Sequence, residues 1–162
     1  NNSGNTPLMF ASDKGHTDIV KLLIQKGADV NVQNKNGDFT ALIKPTGKGY
    51  TEIVKMLLEA GADPNIHETP PFWTSLMGAS ANGYTKIARM LLDAGAKVET
   101  LDKEGDTALI YASAEGYTEI ERMLIEKGAN VNYIIRGKTA LVVATKRGHT
   151  EIVRMLIQAG AK

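Results

Sequence analysis

The chain repeats one phrase of about 33 residues five times, and this repetition constrains the fold more than any other feature of the sequence. The threonine that opens the phrase recurs in steps of 34, 34, 33 and 32 residues, at Thr6, Thr40, Thr74, Thr107 and Thr139. Because a unit of this length cannot bury its apolar side chains alone, each unit must pack against its neighbours. We therefore expect an elongated binding surface rather than a closed catalytic pocket.

The fourth copy shows how one unit is expected to fold. Asp102 and Gly105 indicate a turn, and Thr107 follows where its hydroxyl can cap a helix. This first helix should end at Gly116. A second helix, capped by Thr118, then carries apolar residues at helical spacing. The pattern predicts a turn followed by two antiparallel helices in every unit.

Apolar side chains recur at three positions of every copy and form the predicted core. On the second helix they are Ile19, Ile53, Ile87, Ile120 and Ile152, followed by Leu23, Leu57, Leu91, Leu124 and Leu156. On the first helix they are Leu8, Leu42, Leu76, Leu109 and Leu141. The methionines of the same stripe are predicted to fill gaps in this core.

The repeated phrase resembles the ankyrin repeat, whose pattern includes Asp-x-x-Gly-x-Thr-Pro-Leu, Gly-His, Ile-Val and Gly-Ala-Asp-Val-Asn. The first copy carries this pattern at 4–8, 15–20 and 27–31, and the resemblance spans essentially all 162 residues. It implies an all-α solenoid of stacked helix-turn-helix units, joined by projecting β-turn segments called fingers. It also implies one domain over 1–162, with repeats near 1–33, 34–67, 68–100, 101–132 and 133–162. Ankyrin domains bind other proteins through the finger tips and the concave face of the first helices.

Three fingers depart from the pattern, and we interpret them as partner contacts. The second unit has an extra residue near Phe39, and the third replaces its turn by a Thr-Pro-Pro run that leads into Phe72 and Trp73. The fifth is one residue short and contains Tyr133 and Ile135. Exposed aromatic and branched apolar side chains are typical of binding hot spots. The alternative is that they pack between neighbouring fingers.

One row of first-helix positions is implied by the resemblance to face the partner. Its members are Phe10, Lys44, Gly78, Tyr111 and Val143. The pair that follows in the last copy, Lys146 and Arg147, is assigned to the same surface. Gly78 should leave a dent beside Trp73 that suits a protruding side chain. An alternative use of Trp73 is an aromatic cage for a methylated lysine, as in some ankyrin domains.

The second unit contains an anomaly, because Pro45 lies about five residues past the Thr40 cap. A proline inside a helix costs about 3 kcal/mol, since it removes a hydrogen bond and clashes with the preceding turn. We expect this helix to be shortened, kinked or rebuilt as a loop. The sequence leaves open whether this is a binding feature or a harmless defect.

Composition narrows the class of partner. With 19 basic and 18 acidic side chains, the chain has no overall attraction for nucleic acid or an anionic membrane. Charge is nevertheless uneven, at −5 over 99–129 and +5 over 133–162. We interpret this as attraction between neighbouring units or a polar terminal face, rather than a nucleic-acid site, because no aromatic residues are interleaved. The absence of cysteine, of a signal peptide and of a membrane-spanning run favours a cytoplasmic or nuclear location.

No pattern in the sequence predicts catalysis, a cofactor or a metal site. His16 and His149 stand where the resemblance implies a structural role, and His67 has no neighbouring ligand. Lys48 follows a glycine as in a P-loop, but Leu42 stands where that motif needs glycine. We therefore expect a binding protein and not an enzyme.

Other expectations remain open. The rival to a recognition module is an engineered or structural repeat scaffold without a dedicated partner. Self-association through uncapped ends is a further expectation. The resemblance also makes Asn31, Asn65 and Asn132 candidate substrates of an asparagine hydroxylase.

Overall fold

The structure is a computed structural model that describes residues 4–35, 37, 40–68 and 72–162. Within these ranges the chain forms ten α-helices in five pairs. They are α1 (Pro7–Lys14), α2 (Thr17–Gln25), α3 (Ile43–Gly47), α4 (Thr51–Glu59), α5 (Ser75–Asn82), α6 (Thr85–Asp93), α7 (Ala108–Glu115), α8 (Thr118–Glu126), α9 (Ala140–Arg147) and α10 (Thr150–Gln158). None of these helices has the length and apolarity that crossing a membrane requires.

The helix pairs stack in two layers. Each first helix packs on the first helix of the next unit, from α1 through α3, α5 and α7 to α9. The second helices pack on one another in the same way and form the other layer, from α2 through α4, α6 and α8 to α10. Because each pair is joined by only a short connection, its helices run antiparallel. The predicted all-α solenoid of helix-turn-helix units is confirmed.

The core follows the predicted stripe in the inner units. Ile53, Leu57 and their counterparts in the later units are at most 1% exposed. One assignment is wrong, because Ile19 is 49% exposed while its neighbour Val20 is fully buried. In the other units the second helix packs on the second helix of the preceding unit, whereas the described residues place no helix pair before the first unit.

Threonine caps the first helices α1, α5, α7 and α9 as predicted, but it caps neither α3 nor the second helices. Thr107 accepts a hydrogen bond from the Ile110 amide at 3.3 Å, and α7 ends at a left-handed Gly116. Thr118, however, is the first residue of α8, and its N-cap is Tyr117, which makes no side-chain capping bond. The Tyr117 ring instead lies against Gly83 of the preceding unit, where an added Cβ would come within 2.4 Å of it. The capping position is therefore used to pack one unit on the next.

Histidine takes the same packing position in the last unit. The ring of His149 lies against Gly116, and its Nε2 is 3.1 Å from the carbonyl oxygen of Ala114. This arrangement fits the structural role that the resemblance implies for the Gly-His pair. His16, at the matching place in the first unit, is exposed.

The predicted shortening of the second unit's first helix is confirmed. Helix α3 has five residues, whereas the other first helices have eight. Pro45 has no N–H to donate to the carbonyl of Ala41, so the first turn of the helix does not form. Thr40 accepts a hydrogen bond from Leu42 at 3.3 Å and caps no helix there. Pro45 and Thr46 are buried, so the irregular segment belongs to the core.

Asparagine side chains connect adjacent units behind the fingers. Asn31 donates to the carbonyl of Gly61 at 3.0 Å and accepts from the amide of Asp63 at 2.8 Å. Asn65 and Asn132 make the same two bonds one unit and three units later. Glu99 stands at this position in the third unit and accepts from Asn130 at 2.8 Å, but it has no N–H to donate. The three hydroxylase candidates are therefore all structural bridges.

Candidate partner-binding surface

The centre of the first-helix face is an aromatic pair that joins the third and fourth units. The rings of Trp73 and Tyr111 meet edge to face, with centroids 4.9 Å apart and an interplanar angle of 68°. The Tyr111 hydroxyl donates to Asp102 Oδ2 at 2.5 Å, and burial together with this bond raises the pKa of the phenol. The pair is therefore fixed to the fourth finger, defined as residues 102–106.

Asp102 organises that finger as well as holding the tyrosine. Its Oδ1 accepts hydrogen bonds from the amides of Glu104 and Asp106, at 2.9 and 2.8 Å. The side chain is only 7% exposed, so it acts as an internal brace. The turn aspartate was recognised in the sequence, but its bond to Tyr111 was not, because the contact depends on how the finger folds back on α7.

Gly78 does not leave the open dent that the sequence suggested. A Cβ at this position would lie 3.3 Å from Nε1 of Trp73, so the indole itself occupies the space. Gly78 is buried within α5. The prediction of a vacant dent for a partner's side chain is therefore wrong, and the missing Cβ instead allows Trp73 to approach the helix.

Lys44 is connected to the aromatic pair through a residue that the sequence analysis missed. Its ammonium group lies 3.0 Å from Oε1 of Glu68, whose side chain is 17% exposed. The Glu68 amide donates to the carbonyl of Trp73 at 3.1 Å, within the third finger, whose described residues are 68, 72 and 73. Two features of the sequence could have indicated Glu68. Its charge is opposite to that of Lys44, and it stands just before the altered finger. A polar and aromatic chain of contacts thus crosses three units.

Phe72 lies on the third finger and is 43% exposed. Its φ is +61°, in the left-handed region that side chains other than glycine rarely adopt. The ring of His67 stands edge-on to it, with centroids 5.6 Å apart. Such backbone strain costs about 1–3 kcal/mol and is concentrated at functional sites. The backbone at Phe72 therefore holds an aromatic ring partly toward solvent at an energetic cost.

The fifth finger, residues 133–138, is a tight hairpin. Ile135 and Lys138 exchange two backbone hydrogen bonds, at 3.0 and 2.8 Å, around Arg136 and Gly137. Both central residues have positive φ, at 50° and 71°, as a type I′ turn requires.

Ile135, which was assigned to the partner surface, lies between fingers. An added Cβ on Gly105 of the fourth finger would come within 2.8 Å of its Cγ1. This is the local packing that the sequence left open. Ile134, which belongs to the same run of candidate contacts, is instead 66% exposed, and Tyr133 is half-buried.

Basic side chains surround a shallow cavity on the fifth unit. The cavity has a volume of about 210 Å³ and is lined by Val142, Val143, Arg136, Lys138, Lys146 and Arg147. Lys138 lies 2.5 Å from Asp106, and Arg136 lies 3.8 Å from Glu104. Lys146 and Arg147 are exposed and form no ion pair with any described residue.

Phe10, which was also assigned to the partner surface, lies at the other end of the face. Phe10 is 47% exposed and lines a cavity of about 110 Å³ together with Asp13 and Lys44. Phe39 lies outside the described residues.

In the described part of the chain, no group of three or more His, Cys, Asp or Glu side chains is placed to hold a metal ion.

Comparison with known proteins gives a family match over most of the chain. Residues 1–68 and 76–162 match the family model described as ankyrin repeats (3 copies). A segment of 39 residues is 64% identical to the probable E3 ubiquitin-protein ligase XBOS33 of Oryza sativa subsp. japonica, covering 24% of this chain and 7% of that protein. A segment of 40 residues is 55% identical to the E3 ubiquitin-protein ligase XBAT33 of Arabidopsis thaliana, covering 25% and 8%. The match spans less than a tenth of either relative's length.

Proposed function

The chain belongs to the ankyrin repeat family, whose repeats are generally protein–protein interaction modules, and from this premise we propose that it binds a partner protein or peptide without catalysing a reaction. The five units act as one domain over 1–162 in this proposal. The partner lies in the concave groove of the first helices and contacts the fingers. The observation that carries the proposal is the chain of contacts from Lys44 through Glu68 and Trp73 to Tyr111, which crosses three units on one face.

This arrangement has the properties of a binding hot spot. Tryptophan and tyrosine side chains at the centre of a surface contribute most to binding when their positions are fixed before the partner arrives. Trp73 and Tyr111 support each other edge to face, and Asp102 fixes the tyrosine. Phe72 adds an exposed ring on a strained backbone at the rim. A partner therefore meets a surface that needs little reordering.

The alternative functions have less support. An aromatic cage for methylated lysine needs open π-faces around a hollow, whereas Trp73 and Tyr111 contact each other and the indole fills the space at Gly78. A scaffold without a partner is favoured by one observation, since Pro45 and Thr46 are buried and the second-unit anomaly is a feature of the core. That alternative gives no account of the strained, exposed Phe72.

The similarity to E3 ubiquitin-protein ligases supports only the repeat itself. Each matched segment, of 39 or 40 residues, is about the length of one ankyrin unit. We therefore attribute the similarity to the shared repeat and do not extend ligase activity to this chain.

The proposal is tested by capture of partners from a cell lysate with the full chain as bait. Proteins identified by mass spectrometry are then expressed, and their affinities are measured by biolayer interferometry. We expect Phe72→Ala to weaken a true partner several-fold, because it removes a ring that is exposed in the free protein. Trp73→Ala should weaken it at least as much.

The matched control is the double variant Leu22→Ala/Ile157→Ala. It removes two exposed apolar side chains, 53% and 56% accessible, from second helices away from the groove. Urea unfolding of every variant separates lost affinity from lost fold. Unchanged affinity in the finger variants, or equal losses in the control, would remove the groove-and-finger proposal.

A further inference from the structure

We infer that the fifth unit of the groove binds an acidic stretch of the partner, with carboxylates over Lys146 and Arg147 and aliphatic side chains against Val142 and Val143. This inference rests on the proposed function and adds the chemical class of the partner. The residues concerned line one cavity of about 210 Å³ between the fifth finger and the C-terminal end of α9.

The described residues neutralise only part of the positive charge of this cavity. Asp106 and Glu104 of the fourth finger approach Lys138 and Arg136, which are the two bases on the fifth finger. The two bases at the end of α9 have no acidic partner in the described ranges and are exposed. An acidic partner would supply the missing counter-charges, and charge complementarity of this kind directs association.

Helix stability alone does not explain the two bases. Cations near a helix C-terminus are favourable, so a structural role for Lys146 and Arg147 has to be considered. Helices α5 and α7, however, have no base in their last turn, and α7 ends with Glu115. Helices α1 and α3 have one base each in the last turn, Lys14 and Lys44, and among the helices of the described ranges only α9 ends with two adjacent bases. The end of α7 therefore repels an acidic segment, whereas the end of α9 attracts it. This difference orients the bound segment, with its acidic part over the fifth unit.

The shape of the cavity favours polypeptide over nucleic acid. Val142 and Val143 are apolar residues of its lining, and none of the described residues that line it is aromatic. Single-stranded nucleic acid is usually held by bases stacked on aromatic side chains beside a basic groove. A volume of about 210 Å³ also lies below the range of pockets that enclose a whole small ligand, and suits individual side chains instead.

The distance to the aromatic pair predicts a spacing in the partner. Tyr111 and Val143 occupy equivalent positions in neighbouring units, and adjacent packed helices lie about 10 Å apart. An extended peptide advances about 3.3 Å per residue. A peptide along the groove should therefore carry an apolar or aromatic residue roughly three positions from its acidic residues.

The test is selection of random dodecapeptides, displayed on phage, against the full chain at physiological salt. We expect the selected peptides to be enriched at least about twofold in Asp and Glu, at the stated spacing from an apolar residue. One selected peptide, labelled with fluorescein, is then measured by fluorescence anisotropy. The double variant Lys146→Glu/Arg147→Glu should weaken it roughly tenfold or more.

The matched control is Lys86→Glu/Arg154→Glu, which makes the same change in net charge on exposed positions of α6 and α10. Its affinity for the peptide should stay within about twofold of the wild type. Selection of peptides without acidic enrichment, or equal weakening by both double variants, would overturn the inference. So would a failure to select any binding peptide.

A labelled 12-nucleotide oligouridine serves as the competing class of ligand. Tighter binding of this oligonucleotide than of the selected peptide, lost in Lys146→Glu/Arg147→Glu, would replace the inference by a nucleic-acid site. The proposed function fails separately, through the finger variants. A partner that depends on Phe72 and Trp73 but not on Lys146 and Arg147 would contradict only the assignment of an acidic ligand.

Discussion

Replacing Glu121 with valine should stabilise the chain, and the gain should grow as the pH rises. Glu121 is fully buried on α8, at a position that Val20, Val54 and Val153 occupy in other units. Its Oε1 accepts a hydrogen bond from Ser113 at 2.9 Å, but Oε2 has no hydrogen-bond partner among the described residues. A carboxyl group in this environment is stable only when it is protonated.

The size of the effect follows from the pKa of this carboxyl group. Burial raises the pKa of Glu121 from 4.5 to about 8, against the smaller opposing influence of the Ser113 hydrogen bond. Between these two values the folded state binds more protons than the unfolded state, so the free energy of unfolding falls as the pH rises. The protonation-linked stability is complete below pH 4.5 and is lost by pH 8. The loss is about 3 kcal/mol at pH 7 and about 5 kcal/mol above pH 8.

Urea unfolding at pH 5, 7 and 9 measures this loss directly. Wild type is compared with Glu121→Val, Glu121→Gln and the control Glu126→Gln, which changes an exposed residue of the same helix. We expect the advantage of both Glu121 variants to increase by several kcal/mol from pH 5 to pH 9, and that of Glu126→Gln to stay within about 0.5 kcal/mol. An advantage that is the same at all three pH values would refute the assignment of a buried, protonated carboxyl.

Three further changes test the packing between units. Pro45→Ala restores an N–H for the carbonyl at position 41 and should raise the free energy of unfolding by about 1–3 kcal/mol in urea titrations, whereas Pro7→Ala, at the first helical position, should give no gain. Glu99→Asn should add about 1 kcal/mol by completing the asparagine series, measured in the same way; a loss of stability would contradict this role. Tyr111→Phe should cost about 1–2 kcal/mol, because Asp102 loses a hydrogen bond, and an unchanged melting curve would show that this bond has no energetic role.

Periodicity alone predicted most of the architecture. A repeat step near 33 residues and an apolar stripe at helical spacing require stacked helix pairs, and the ten helices follow that plan. The shortening of α3 at Pro45 could also be predicted from the sequence, because the missing N–H of proline acts within its own helix and does not depend on neighbouring units. The errors arise where a neighbour decides the outcome. Ile19 is exposed because the described residues place no second helix before α2 to cover it. Tyr117, rather than Thr118, is the N-cap of α8, and its ring packs on the preceding unit.

The candidate surface was predictable in outline but not in its contacts. Aromatic residues in an altered finger indicated Trp73 and Phe72, yet the sequence does not show that the indole fills the space over Gly78. The links through Glu68 and Asp102 depend on how each finger folds back on a helix, and that geometry has no local signature. Ile135 and Ile134 are adjacent and chemically identical, and only the hairpin turn decides which one faces solvent.

The most direct test of the central claim is site-specific photocrosslinking of a captured partner. Benzoylphenylalanine is placed at Phe10, Phe72 or Ile134 on the groove and fingers, and at Leu22 or Ile157 on the second helices. All five positions are exposed in the free chain, so none of the substitutions disturbs the core. We expect strong crosslinks to the partner from the groove and finger positions and background levels from the second helices. Crosslinks mainly from Leu22 and Ile157 would show that the partner binds the opposite face, and the account would be wrong.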